Sequence, residues 1–361
     1  MDFNQINFIF ETLRLTPPSN LTLLDAQTFL LKHYPPTPPD MDILILNVDS
    51  AEMAGQVKFV LLAAYAGSHK VSAVGKAGVT ETSLAEFGGE ALSYPVSLFI
   101  PSLGEGTSFE SFAEIVAHLR APNGCPWDKE QTHQTLRKHL LEETYETLAA
   151  MDANDVDSMR EEFGDLLLQI VLNSTIAYQD NEFKFTDVTK HIYDKIVRRH
   201  PHVFGDVKLD GVDGVLQNWE KLKEKERSKK KEGGGILDGV PAALPALSQA
   251  QEYQDRAARV GFDWPEIDDV LDKVREEIEE VKTAENSEQV KAELGDLFFV
   301  LVNLARWRGV DAEAALREAN QKFGKRFAHI EKSAKGLGRN LSDMTLAEMD
   351  SFWNEAKSFG L

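Results

Sequence analysis

The feature that most constrains this chain is a doubled pattern of acids. Two glutamates three residues apart are followed, after a polar stretch, by a Glu-x-x-Asp pair inside an apolar run, and the whole arrangement occurs twice. Glu143, Glu146, Glu162 and Asp165 make the first copy; Glu277, Glu280, Glu293 and Asp296 make the second. Other landmarks return in the same order. Lys195, Arg198 and Arg199 recur as Lys322, Lys325 and Arg326, and Trp219 recurs as Trp353, 134 residues on, the same step as from Glu143 to Glu277. Self-similarity at a near-constant step marks a duplicated structural unit, so each unit must house four acids.

The flanking spacing predicts helices. Leu136, Leu140, Leu141, Tyr145 and Leu148 recur at three- and four-residue intervals, as do Val156, Met159, Phe163, Leu166, Leu167, Ile170 and Val171. Residues three apart share a helix face, so each acid pair points one way. The polar segment 152–157 suits a helix–helix turn, and two antiparallel helices would bring four carboxylates together. Such a cluster repels itself unless a hard divalent cation with oxygen ligands sits in it; Mg²⁺ is the expected occupant, with Mn²⁺ an alternative. A single acidic pair is ordinary on an exposed helix. The doubling, and the mid-helix glycines Gly164 and Gly295, favour a site. Glycine there costs roughly 0.5–1 kcal/mol relative to alanine and is expected where another backbone or a ligand approaches closely. The apolar runs that follow, Leu166–Val171 and Leu297–Val302, are expected to be core. The basic triplets lie one turn apart and are expected to meet phosphate oxygens.

Bulk properties narrow the function. A formal net charge of −20 argues against broad nucleic-acid binding. No apolar run is long enough to span a bilayer, so no membrane role is expected. The one cysteine, Cys125, rules out an internal disulfide and fits a reducing cytoplasm. It stands in a loop with Trp127 and Asp128, which are placed to border a substrate pocket. Residues 1–104 differ from the rest, with strand-like runs at Ile43–Asn47, Val71–Val74 and Val96–Ile100, a helix at about Glu52–Ala64 and a proline-rich turn at 35–39. The expected organisation is mainly α: a small α/β domain (1–104), a helical module (105–232) and a second one (240–361). A Lys/Glu-rich run, Glu220–Glu232, and the glycines 233–235 would link the modules.

Residues 105–361 resemble the MazG family, in the all-α nucleoside triphosphate pyrophosphohydrolase superfamily. The resemblance is carried by Asn123–Thr132 (NGCPWDKEQT), Leu141–Glu146 (LEETYE), Arg198–Asp206 (RRHPHVFGD), Glu293–Leu297 (ELGDL) and Val302–Arg306 (VNLAR). It implies tandem helical-bundle modules, Mg²⁺ on the ExxE/ExxD acids, cleavage of NTP or dNTP to nucleoside monophosphate and pyrophosphate, and a homodimer. It further implies nucleotide contacts from Lys273, Glu276, Lys322, Lys325, Arg326 and Trp353. Glu293, or Glu162 in the first copy, is the acid expected to orient the attacking water. The second copy is expected to be the main active site, partly by resemblance and partly because its acid pairs are closer in sequence. The first hundred residues resemble the C-terminal half of a tetrapyrrole methylase-type domain, which implies a packing element rather than a methyltransferase.

Two rivals stand against this reading. A Nudix hydrolase also cuts pyrophosphate bonds on carboxylate-bound Mg²⁺, but its box needs a glycine where Lys282 stands and an apolar residue where Glu277 stands. A non-catalytic regulatory or scaffold module with vestigial acids is the other, and eight intact acids weigh against it.

Overall fold

The computed structural model describes residues 3–89, 92–215, 218, 219, 222 and 235–361. The chain forms two compact units, residues 1–195 and 196–361. The Lys/Glu-rich run, apart from Leu222, and the linker glycines 233 and 234 lie outside the described residues.

The first unit opens with an α/β layer. Strands β1 (Leu21–Asp25), β2 (Asp42–Val48), β3 (Lys70–Gly75), β4 (Gly78–Ser83) and β5 (Val96–Ile100) form one sheet in the order β1-β2-β5-β3-β4. Strands β1 and β2 are parallel, and the other pairings are antiparallel. Helix α2 (Ala51–Leu61) packs with Ile43, Ile45 and Val48, whereas α1 (Phe3–Leu13) packs with Leu44 and Leu46. A strand covered on both faces has to be apolar at successive positions, which is why β2 reads as an unbroken run. Asn47 interrupts that run at φ 60°, where the β2–β5 register shifts. The extra residue of such a bulge returns Val48 to the face of Ile43 and Ile45.

Five helices follow: α3 (Phe109–Leu119), α4 (Pro126–Glu130), α5 (His133–Ala153), α6 (Val156–Gln179) and α7 (Phe185–Arg199). Val116, Leu136, Val171, Leu172 and Ile176 form their core, with Phe109 stacked on Phe185 at 4.6 Å. Thr132 caps α5 through a capping box with Thr135, and Asp155 caps α6 by accepting from the amides of Asp157 and Ser158. Between α5 and α6 the chain turns through Asn154, held left-handed at φ 51°. Asparagine tolerates that conformation better than most side chains, so the hairpin is encoded in the turn itself.

The second unit holds α8 (Pro201–Phe204), α9 (Ala246–Ala258), α10 (Ile267–Thr283), α11 (Ser287–Trp307), α12 (Ala312–Gly336) and α13 (Leu346–Ser358). Helix α10 packs along α11, α9 against α11, and α12 along α13. The α10–α11 pair repeats the α5–α6 hairpin, with Asn286 capping α11. No described helix is long and apolar enough to cross a membrane.

The two apolar runs expected as core are only half buried. Val171, Val300 and Val302 are interior, but Leu167, Ile170, Phe298, Phe299 and Leu301 are exposed on the single chain. Each hairpin is covered on one side, so one stripe of its helices is buried and the opposite stripe is left open.

Candidate active site

The hairpins decide which acids meet. Glu146 lies eight residues before Asn154 and Glu162 eight after it, so antiparallel helices set them at one height. In the second copy the turn runs from Ala284 to Asn286, and Glu277 and Glu293 each lie eight residues from Glu285. The extra three residues in the first copy slide α5 by about one turn and exchange the level partner, Glu146 for Glu143. Both copies still gather carboxylates tightly. Oxygens of Glu143, Glu146 and Glu162 lie within 4.8 Å of one another, and so do those of Glu277, Glu280 and Glu293. The longer gap does not prevent the first cluster from closing to within that distance.

The electrostatics follow from this crowding. Burial, then the charges of Asp165, Glu146 and Glu162, push the Glu143 carboxyl above the ordinary range. Glu162 is raised by desolvation and then by Glu146 and Asp165. Glu280 is raised by desolvation, by Glu277 and by Glu293, against the opposing pull of Lys273. One oxygen in each cluster, Oε2 of Glu162 and Oε2 of Glu277, is buried without a hydrogen-bond partner. Buried carboxylate oxygens without partners are costly. An all-oxygen donor set that is mutually repulsive and under-satisfied fits a hard divalent cation.

The fourth acids stand apart from the close groupings. Asp165 and Asp296 are one methylene shorter than glutamate and lie one turn further along their helices. Asp165 nonetheless acts on Glu143 and Glu162 through its charge. The expectation of a close approach at the two glycines is not met within the chain: a Cβ added at Gly164 or Gly295 would find open space.

The predicted nucleotide contacts fall on four helices. Lys273, on α10, bridges Glu276 at 2.8 Å and Glu277 at 2.9 Å, and both bonds hold its ammonium well above its ordinary range. Lys322 and Lys325 are exposed on α12. Arg326 lies 5.4 Å from the Trp353 ring centre, and its Nε donates to the Leu361 carbonyl at 2.7 Å. Trp353 also meets Phe323 at 5.3 Å, so it packs as well as presents a face. Lys195, Arg198 and Arg199 occupy the last turns of α7. Trp219 sits 6.0 Å from His200.

Sequence reasoning passed over two features beside the first cluster. One is His139, which stands 134 residues before Lys273 and so takes its place in the first copy. Its Nδ1 lies 3.3 Å from Glu142, as Lys273 lies against Glu276. The repeat step carries the signal, since 134 residues separate His139 from Lys273 and Glu142 from Glu276. The other is Arg120, which braces the loop of Cys125, Trp127 and Asp128 between α3 and α5. Half-buried Arg120 donates to the carbonyls of Asp128 and Gln131 and, through Nε, to Gln179 at 2.8 Å. Gly124 is required there, because a Cβ would lie 2.3 Å from the His118 and Leu119 carbonyl oxygens. Gly124→Ala is therefore expected to destabilise the first unit by about 2–3 kcal/mol, toward the upper end for point substitutions. Urea unfolding followed by circular dichroism measures it, and an unchanged midpoint would show that the loop yields freely.

Comparison with known proteins agrees with this geometry. Residues 131–204 match the MazG nucleotide pyrophosphohydrolase domain, and residues 247–323 match the phosphoribosyl-ATP pyrophosphohydrolase family. The chain is 40% identical over 367 residues to the Bacillus subtilis uncharacterized protein YabN, spanning 96% of this chain and 73% of that one. It is 44% identical over 249 residues to the nucleoside triphosphate pyrophosphohydrolase of Escherichia coli K12, covering 67% of this chain and 94% of that enzyme. The nucleoside triphosphate pyrophosphohydrolase/pyrophosphatase MazG of Thermotoga maritima is 40% identical over 252 residues, 70% of this chain and 96% of its own. With two helical hairpins that each gather an ExxE pair against the glutamate of an ExxD pair, and with these relatives, the chain belongs to the MazG family of nucleotide pyrophosphohydrolases.

Proposed function

We propose that this protein hydrolyses nucleoside triphosphates, ribo or deoxy, to nucleoside monophosphate and pyrophosphate, with Mg²⁺ held by the acids of one or both copies. The observation that carries the proposal is the pair of carboxylate clusters, each with a buried, unpartnered oxygen, on a fold whose relatives bear that activity in their names. Glu143, Glu146, Glu162 and Asp165 would hold the ion in the first copy; Glu277, Glu280, Glu293 and Asp296 would hold it in the second. When bound, the cation offsets triphosphate charge and acidifies a water. Mn²⁺, also oxygen-seeking, would serve in its place.

The chain's own residues supply the rest. Glu162 or Glu293 orients the attacking water and accepts its proton. Lys273, beside Glu277 at 2.9 Å, would offer its ammonium to a phosphate of a nucleotide bound at the cluster. Lys322, Lys325 and Arg326, and Lys195, Arg198 and Arg199 in the first copy, offer donors to the leaving pyrophosphate, where negative charge accumulates. Trp353 offers an aromatic face to the nucleoside, and Glu276 holds Lys273 in place. The exposed stripe of Phe298, Phe299 and Leu301 favours a homodimer in which a second copy covers it, and light scattering would then give twice the chain mass. The single free cysteine is consistent with a cytoplasmic setting.

The products test the reaction directly. With substrate labelled at the γ-phosphate, all label is expected in pyrophosphate, with unlabelled monophosphate as co-product. Labelled orthophosphate with nucleoside diphosphate would instead mean attack at the γ-phosphorus and would overturn the proposal.

A further inference from the structure

We propose that Trp127 is the base platform of the first copy: the nucleobase of a nucleoside triphosphate stacks on its indole while the phosphates reach the Glu143, Glu146 and Glu162 cluster. This inference rests on the reading of that cluster as a metal–triphosphate site.

Three observations carry it. First, Trp127 is 55% exposed on a tightly bonded loop. Gln131 Nε2 donates to the Trp127 carbonyl at 3.0 Å, Lys129 Nζ to the Pro122 carbonyl at 3.0 Å, and the Cys125 amide to the Leu119 carbonyl at 2.8 Å. Arg120 clamps the following turn from inside. A loop tied this closely, with a glycine that tolerates no side chain, fixes the backbone that carries an exposed ring. Second, the ring lies against the helix that carries the first acids. The indole meets the His139 ring edge-on with centroids 6.1 Å apart. His139 lies one turn before Glu143 on the same face of α5, about 6 Å along the axis. The indole therefore contacts the residue one helical turn before the first acid of the cluster. Third, an exposed aromatic also precedes the acids of the second copy. Phe262 is 83% exposed and lies 15 residues before Glu277, as Trp127 lies 16 before Glu143.

A stacking platform accepts any base, because every base has a π-face, and its loss weakens binding by about fivefold to more than a hundredfold. The full chain carrying Glu277→Gln and Glu293→Gln, which disables the second cluster, isolates the first. Calorimetry in Mg²⁺ then compares α,β-methylene-ATP, which cannot be cut at the scissile bond, with inorganic tripolyphosphate, which has no base. Adding Trp127→Ala is expected to weaken the nucleotide analogue at least about tenfold and to leave tripolyphosphate unchanged, while Trp127→Phe restores most of the analogue's affinity. A parallel loss of both ligands, or no loss of either, would overturn the platform. So would a change in oligomeric state on Trp127→Ala with base-independent binding, since that assigns the ring to an interface between copies. If the parent variant binds neither ligand, the metal reading of the first cluster fails, and the platform fails with it.

Discussion

Glu293→Gln is expected to lower Mg²⁺-dependent pyrophosphate release by about a hundredfold, whereas Glu162→Gln lowers it by no more than about twofold. Both glutamates sit in clusters whose oxygens lie within 4.8 Å of one another, so that closeness does not separate them. The neighbouring cation does. In the second copy Lys273 is a permanent charge against Glu276 and Glu277. It sets a positive charge 2.9 Å from a carboxylate of the cluster and leaves a phosphate donor in place. His139 occupies that position in the first copy, where it reaches Glu142 and the Trp127 ring. A shorter side chain that contacts Glu142 brings no lysine ammonium to the cluster, and Glu143 and Glu162 stay raised by desolvation and their own crowding. The second copy is thus better prepared for a metal-bound triphosphate, and losing its water-orienting acid should cost most of the turnover. The measurement is initial rate at saturating Mg²⁺, with circular dichroism confirming both folds. A dead Glu162→Gln beside a normal Glu293→Gln would invert the assignment. Half-loss in each would mean two equivalent, independent sites.

Removing the divalent ion is expected to abolish turnover and to lower the melting temperature of the protein. Chelation leaves Glu143, Glu162 and Glu280 with carboxyl pKa values above the ordinary 4.5. A folded-state pKa that is raised means the folded protein binds protons more tightly than the unfolded chain. The metal-free protein should therefore be most stable at low pH in that respect. It should lose stability as the pH climbs from about the ordinary carboxylate value through the raised values. Saturating Mg²⁺ binds the folded state and reverses the loss. At a hundredfold excess over its dissociation constant, it should raise the melting temperature by about 5–10 °C at neutral pH, with a smaller effect on the acid side. Calorimetric scans with and without chelator across that range check both signs. Full turnover in chelator, or a melting temperature indifferent to Mg²⁺, would remove the metal from the proposal.

Much of this protein is legible in one dimension. The three-residue spacing of Glu143 and Glu146, and of Glu162 and Asp165, fixes a shared helix face, and the repeat step fixes that there are two such sites. Local chemistry also marks the hairpin: Asn154 takes the left-handed turn and Asp155 caps the next helix. Strand β2 was visible because a run buried on both faces has to be apolar throughout. Strand β4, with its sequence GVTETS, and strand β1 were not, because their stability comes from pairing with neighbours distant in the chain rather than from a pattern of their own.

Tertiary structure decided what lies between helices. Sequence spacing suggested that the longer first gap would splay its acids. Counting from the turn shows that three added residues move a helix by about one turn, so the acids re-pair instead of separating. The apolar runs after the glycines read as core, yet whether a stripe is covered depends on what packs against it, and here one stripe of each hairpin stays open. The site's cation is the clearest case. Lys273 and His139 occupy the same step of the repeat, but only the folded distances show that the lysine reaches Glu277 while the histidine stops at Glu142. Periodicity along a helix determines which side chains share a face; the reach of each side chain across to a charged neighbour depends on three-dimensional packing that no spacing in the sequence encodes.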